Sequence, residues 1–185
     1  MDIKYIFKLE EISKDILKWL DVNTEKPVDI KELVNLLGGT IKEHSELEYK
    51  LEKYDLRKTK DSFDINLLCN IDKHKKTMLT AKAVGILLLK GRYCISKDIW
   101  NTFKEGDSLS IWIDPTIEKH SFVLGLCLLM PKEHFICKLK ESYKGDGLYN
   151  LCEVAKYFNV SEVMVRNRGV FLQMIQPPKE GIRYI

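Results

Sequence analysis

The chain has 185 residues, 45% of them hydrophobic and 31% charged, a balance that fits a folded globular protein and excludes long disorder. Its formal net charge is only +3, a bias too weak to demand a nucleic-acid partner. No apolar run approaches the ~20 residues of a membrane span. The amino terminus mixes acidic with apolar side chains and lacks a small-residue cleavage site, so it does not read as a signal peptide and a cytoplasmic location is expected.

Taken in chain order, residues 7–20 place Ile12, Ile16, Leu17, Trp19 and Leu20 at helical spacing between lysines and glutamates, which predicts an amphipathic helix. "KPVDIKELVNLLGG" follows, with Asp29 as N-cap, Glu32 three residues on, and Gly38 and Gly39 at the far end, the punctuation of a short helix. Residues 40–72 are charged and loosely alternating until "SFDINLLCNI", and predict a small twisted sheet. The mixed signs of "KEHSELEYKLEKYDLRKTKD" predict a solvated face or a mobile hairpin. From Lys75 to Lys90 the helical pattern returns, with an apolar face wide enough to require burial.

"SLSIWIDP" reads as a strand ended by Pro115, after which Thr116 or Asp114 can cap a helix through "IEKHSFVLGLCLLM" that Pro131 stops. Three more helical pieces follow: "PKEHFICKLKES", "LYNLCEVAKYF" and "SEVMVRNRGVFLQMI". The last two are separated by Asn159 and Val160, with Ser161 as N-cap. "QPPKEGIRYI" is expected to be extended. The five cysteines, Cys69, Cys94, Cys127, Cys137 and Cys152, are odd in number and include no C-x-x-C pair, so buried free thiols are expected.

Two spaced segments, "LLMPKEHF" at 128–135 and "VAKYFNVSEVMVRNRG" at 154–169, resemble the carboxyl-terminal half of the ImmA/IrrE metallopeptidase-like family, and "KPVDIKELVNLLGG" resembles its amino-terminal helix. The resemblance spans roughly residues 27–175. It implies a zinc-binding helix of the type F-T-x-A-H-E-L-G-H-L-L. There two histidines at i and i+4 hold the metal, the glutamate between them activates a water, and a glutamate on the following helix completes the site. In "MLTAKAVGILLL" the positions of Ala81, Gly85 and the leucines match, and the chemistry does not. Lys82 stands at the first histidine, Ala83 at the glutamate and Ile86 at the second histidine. On the next helix, counting back from Leu128 puts His120 at the position of the remaining glutamate, with Glu118 two residues earlier as the other candidate. No metal or cofactor is expected to bind in the family manner. Lys82 has two readings: an ammonium beside Glu118 or another remaining carboxylate where the metal would lie, or a side chain extended to solvent.

Other sites are weaker. His134 and Cys137 lie at i, i+3 and His120 and Cys127 precede them, a scatter that does not assemble four ligands by sequence. His44 and His74 read as surface residues, and no nucleophile elbow, phosphate loop or paired-carboxylate motif appears. The segment 150–175 also has the outline of a helix-turn-helix displaying Arg166, Asn167 and Arg168, residue types that read guanine and adenine edges. A structural cap is the competing role for it.

The expectation is thus a single α+β domain over residues 1–185, with a helix in 1–26, a zincin-like helical core, a small sheet, a helical C-terminal cap and an extended tail at 176–185. Proteins resembling this family belong to phage and mobile-element regulation, which implies an inactive peptidase-like protein working through a protein partner. A nucleic-acid-binding regulator and a metallopeptidase with a rebuilt site are the alternatives.

Overall fold

A computed structural model describes residues 3–47, 53–111, 113–145 and 147–177. Among the described residues the fold is mixed α+β, 53% helical, with a three-stranded and a two-stranded sheet. Two compact units make it up: a central one, Asp29–Gly125, and a terminal one combining Met1–Val28 with Leu126–Ile185.

The central unit begins with α2 (Ile30–Leu36), which follows α1 (Ile3–Trp19) of the terminal unit in the chain. Asp29 caps it by accepting from the Lys31 amide at 2.8 Å, and the chain leaves it through Gly38 at φ +80, a conformation glycine adopts without cost. The sheet has the order β1-β3-β2, with β1 (Thr40–His44) parallel and β2 (Tyr54–Lys58) antiparallel to the central β3 (Phe63–Leu68). Phe63, Ile65 and Leu67 alternate inward, as period-two burial requires. The charged tract therefore contributes two strands. Tyr54, Asp55, Leu56 and Lys58 of β2 are buried rather than solvated, and residues 48–52 of the tract lie outside the described residues.

Asp72 caps α3 (Lys73–Leu89), accepting from the His74 and Lys75 amides. All of residues 78–88 are buried, which agrees with the wide apolar face. A short α4 (Lys97–Thr102), capped by Ser96, was not foreshadowed by the apolar pattern. The expected strand in "SLSIWIDP" is corrected: among the described residues it forms only an isolated bridge from Ser108 to Arg57. The Lys58 amide donates to the Asp107 carbonyl at 3.0 Å and the Leu109 amide to the Leu56 carbonyl at 2.7 Å, and side chains add to these contacts. The Leu56 amide donates to Ser110 Oγ at 3.1 Å, and both Ser108 and Ser110 turn their hydroxyls onto the Asp55 carboxylate. Pro115 opens α5 (Pro115–Leu129) rather than closing a strand, with Asp114 accepting from the Thr116 amide at 2.8 Å.

The terminal unit contains α1 (Ile3–Trp19), the last turn of α5, α6 (Lys132–Glu141), a hairpin of β4 (Tyr143–Gly145) and β5 (Leu148–Tyr149), then α7 (Leu151–Phe158) and α8 (Glu162–Phe171). α1 buries Ile6, Leu9, Ile16 and Leu17. Asn159 ends α7 in the left-handed conformation at φ 53, Val160 is buried, and Ser161 caps α8, in agreement with the sequence reading. The hairpin was not anticipated. Residues 178–185 of the expected extended tail lie outside the described residues.

All five cysteines are free, and only Cys127 is buried. The expectation of buried thiols is corrected for Cys69, Cys94, Cys137 and Cys152. They are exposed residues on helices and turns.

Candidate functional site

The helices that the resemblance associates with chemistry, α3 and α5, meet in the central unit through small residues. A Cβ at Gly85 would lie 2.3 Å from the Ser121 carbonyl oxygen, and one at Gly125 would lie 2.8 Å from the Ala81 carbonyl carbon. The two backbones thus touch at Gly85 and Gly125, and no larger residue fits. This close approach fixes what lies one position along each helix.

Lys82 follows Ala81 on α3, and Glu118 precedes Ser121 by three residues on α5. Lys82 Nζ donates to Glu118 Oε1 at 2.6 Å and sits 5.7 Å from the centroid of the buried Tyr54 ring. Lys82 is only 8% exposed, so of its two readings the buried, paired one is observed. The Glu118 side chain is 52% exposed, and water therefore screens the pair from one side. Lys75, two turns earlier on α3, has its pKa lowered by burial and then by the positive charges of Lys53 and Lys82.

The other positions of the motif carry no donors. Ala83 and Ile86 are fully buried among apolar neighbours. His120 is two residues past Glu118, turned about 200° around the helix, and burial pushes its pKa down. Among the described residues no group of three or more His, Cys, Asp or Glu side chains converges to hold a metal. Lys82, Ala83 and Ile86 offer one ammonium and two hydrocarbons, so the residues present do not fit the zinc that the resemblance implies.

The remaining histidines and thiols are dispersed. His44 Nε2 lies 2.9 Å from Asn66 Oδ1 on the exposed side of the sheet, and His74 is half-buried at the start of α3. His134 shares a 2.9 Å hydrogen bond with the Tyr157 hydroxyl, while Cys137 donates to Glu141.

The helix-turn-helix candidates are corrected in the terminal unit. Arg166 is exposed, but Asn167 and Arg168 are buried at 3% and 0% exposure. Successive residues on a helix point about 100° apart, so Arg166 and Arg168 cannot share the solvent face. Arg168 instead forms a two-pronged ion pair with Glu10 of α1, donates from Nε to the Met130 carbonyl at 3.0 Å, and approaches Cys127 Sγ at 3.3 Å. It joins the two carboxyl-terminal segments on which the resemblance rests. Burial pushes the Cys127 thiol up to about 12, leaving it protonated.

Two participants were missed by the sequence reading. Tyr54 carried no signal in its charged surroundings. Glu10 did: with Ser13 it falls on the same helical arc as Ile6, Leu9, Ile16 and Leu17, and a carboxylate on a core face needs a buried partner.

No family model and no curated protein matches the sequence. Among solved structures, a Mycobacterium tuberculosis transcriptional regulator is similar at a TM-score of 0.59 and 15% identity. The match covers 97% of this chain and 50% of that one. The chain therefore spans half the length of that regulator, and at this identity the likeness is one of fold.

Proposed function

We propose that the chain is an inactive member of the ImmA/IrrE type, with a zincin-like helical core, which acts by binding a protein partner and not by hydrolysis. One observation carries this reading: Lys82, at the first-histidine position of the resemblance, and Glu118, one of the two candidates for the further ligand, meet at 2.6 Å across α3 and α5. The ammonium supplies positive charge beside the surviving carboxylate. Ala83 supplies no general base, and Ile86 fills the second ligand position with hydrocarbon. By the resemblance, the partner is a regulator of the repressor type in a phage or mobile-element setting, and a fold shared with a transcriptional regulator supports a regulatory role.

Metal content tests it. The wild-type protein, purified without chelator and supplemented with zinc, is expected to retain none after dialysis. The variant Lys82→His/Ala83→Glu/Ile86→His is expected to hold about one zinc per chain, using Glu118 as the further ligand. Near-stoichiometric zinc in the dialysed wild type would overturn the proposal. A stoichiometric protein complex recovered from extract is expected to survive EDTA.

The second reading, nucleic-acid binding through α7 and α8, has in its favour the exposed Arg166 and the regulator-like fold. With Asn167 and Arg168 buried, it retains one of its three reading residues. It requires salt-sensitive DNA binding that is lost on Arg166→Ala.

A further inference from the structure

The face of α1 that packs in the terminal unit accounts for only part of its apolar residues. Ile6, Leu9, Glu10, Ser13, Ile16 and Leu17 are buried. Beside that arc runs a second line, Tyr5, Ile12 and Trp19. Tyr5 and Trp19 are 49% and 62% exposed, and Ile12 is half-buried. Spaced by sevens, the three fall within about 40° of one another at about 100° per residue, the repeat along which helices pair. On the outer flank of this line stand Lys8 and Asp15, both exposed and within about 20° of each other; Lys8 Nζ lies 5.6 Å from the centroid of the Tyr5 ring within the same chain.

The order of these residues selects the occupant. Tyr5 lies seven residues before Ile12 and Trp19 seven after it, so the stripe is symmetric about Ile12. In an antiparallel pair with a two-fold axis at Ile12, Tyr5 of each copy faces Trp19 of the other, and the two Ile12 side chains face each other. Antiparallel helices also bring like flanks together, so Lys8 of each copy meets Asp15 of the other. Apolar meets apolar and each charge meets its opposite, the self-complementarity that an isologous interface requires. A parallel pair would set like residues against like and leave Lys8 and Asp15 on opposite sides.

We propose that α1 is a homodimerisation helix that pairs with α1 of a second copy of this chain, antiparallel, about an axis at Ile12. The contact is one helix pair roughly 25 Å long, at the small end of specific interfaces, so the dimer forms with rising concentration.

Sedimentation of the full chain from micromolar to millimolar concentration tests this. Dimer is expected to accumulate across the range. Lys8→Asp sets like charges against each other and is expected to weaken association by roughly tenfold or more. Lys8→Asp/Asp15→Lys is expected to restore it, and Ile12→Lys to abolish it. Both charged positions are exposed, so these variants keep the fold, which circular dichroism checks. A chain that stays monomeric throughout, as it would if this stripe served a different protein, overturns the proposal. So does a dimer indifferent to Lys8→Asp, or one that the double reversal fails to restore.

Discussion

Lys82 and Arg168 are both buried cations paired with a glutamate, and their surroundings give them opposite weights. Glu118 keeps half its side chain in water, so breaking its bond to Lys82 exposes little uncompensated charge, and pairs of that kind contribute about 0–1 kcal/mol. Arg168 and Glu10 are both shut away from water, and Nε of Arg168 also serves the Met130 carbonyl. Removing one partner of such a pair costs about 3–5 kcal/mol, because the other charge is left buried alone. Arg168→Ala is therefore expected to lower the unfolding free energy in urea by about that amount. Glu10→Met/Arg168→Met is expected to recover most of the loss, since hydrocarbon of similar volume replaces the whole pair. A loss below about 1 kcal/mol for Arg168→Ala would show that the buried pair is not what holds α8.

At the scale of elements, the crossing of α3 and α5 depends on backbone contact. Gly85→Ala puts a methyl group 2.3 Å from a carbonyl oxygen that cannot rotate away, so the helices must separate, at a cost of about 1–3 kcal/mol. Ser121→Ala at the same crossing is expected to do the reverse. The Ser121 hydroxyl is fully buried and has no hydrogen-bond partner among the described residues, and deleting an unsatisfied group recovers about 1 kcal/mol. Thermal melts of the two variants should move in opposite directions; destabilisation by Ser121→Ala would mean the hydroxyl has a role the packing does not reveal. The sequence made these elements legible where local chemistry repeats: Asp29, Asp114 and Ser161 cap the helices they precede, and β3 alternates. It failed where long-range side-chain contacts decide. The strand expected in "SLSIWIDP" is reduced to a bridge with β2, and its hydroxyls reach Asp55, a residue 53 positions away from Ser108. The site was half legible for the same reason. Spacing along α3 marked Lys82, but only folding brings it to Tyr54 and Glu118, and burial of Arg168 follows from a partner at the other end of the chain.

For the whole molecule, that partner matters most. Glu10 and Arg168 are 158 residues apart, and both belong to the terminal unit, whose two segments flank the central unit in sequence. The terminal unit thus exists only when the first and last parts of the chain have found each other, whereas the central unit is continuous from Asp29 to Gly125. Stability in such a chain is held in cooperative blocks that open separately. Glu10→Ala, measured in the intact protein by native-state hydrogen exchange, is expected to speed exchange in α1, α6, α7 and α8 together. Amides of β3 and of α3 are expected to keep their protection, because none of their hydrogen bonds or buried neighbours in the central unit depends on Arg168. Uniform acceleration across both sets would mean that the chain opens as one block, and that the division into two units has no counterpart in its energetics.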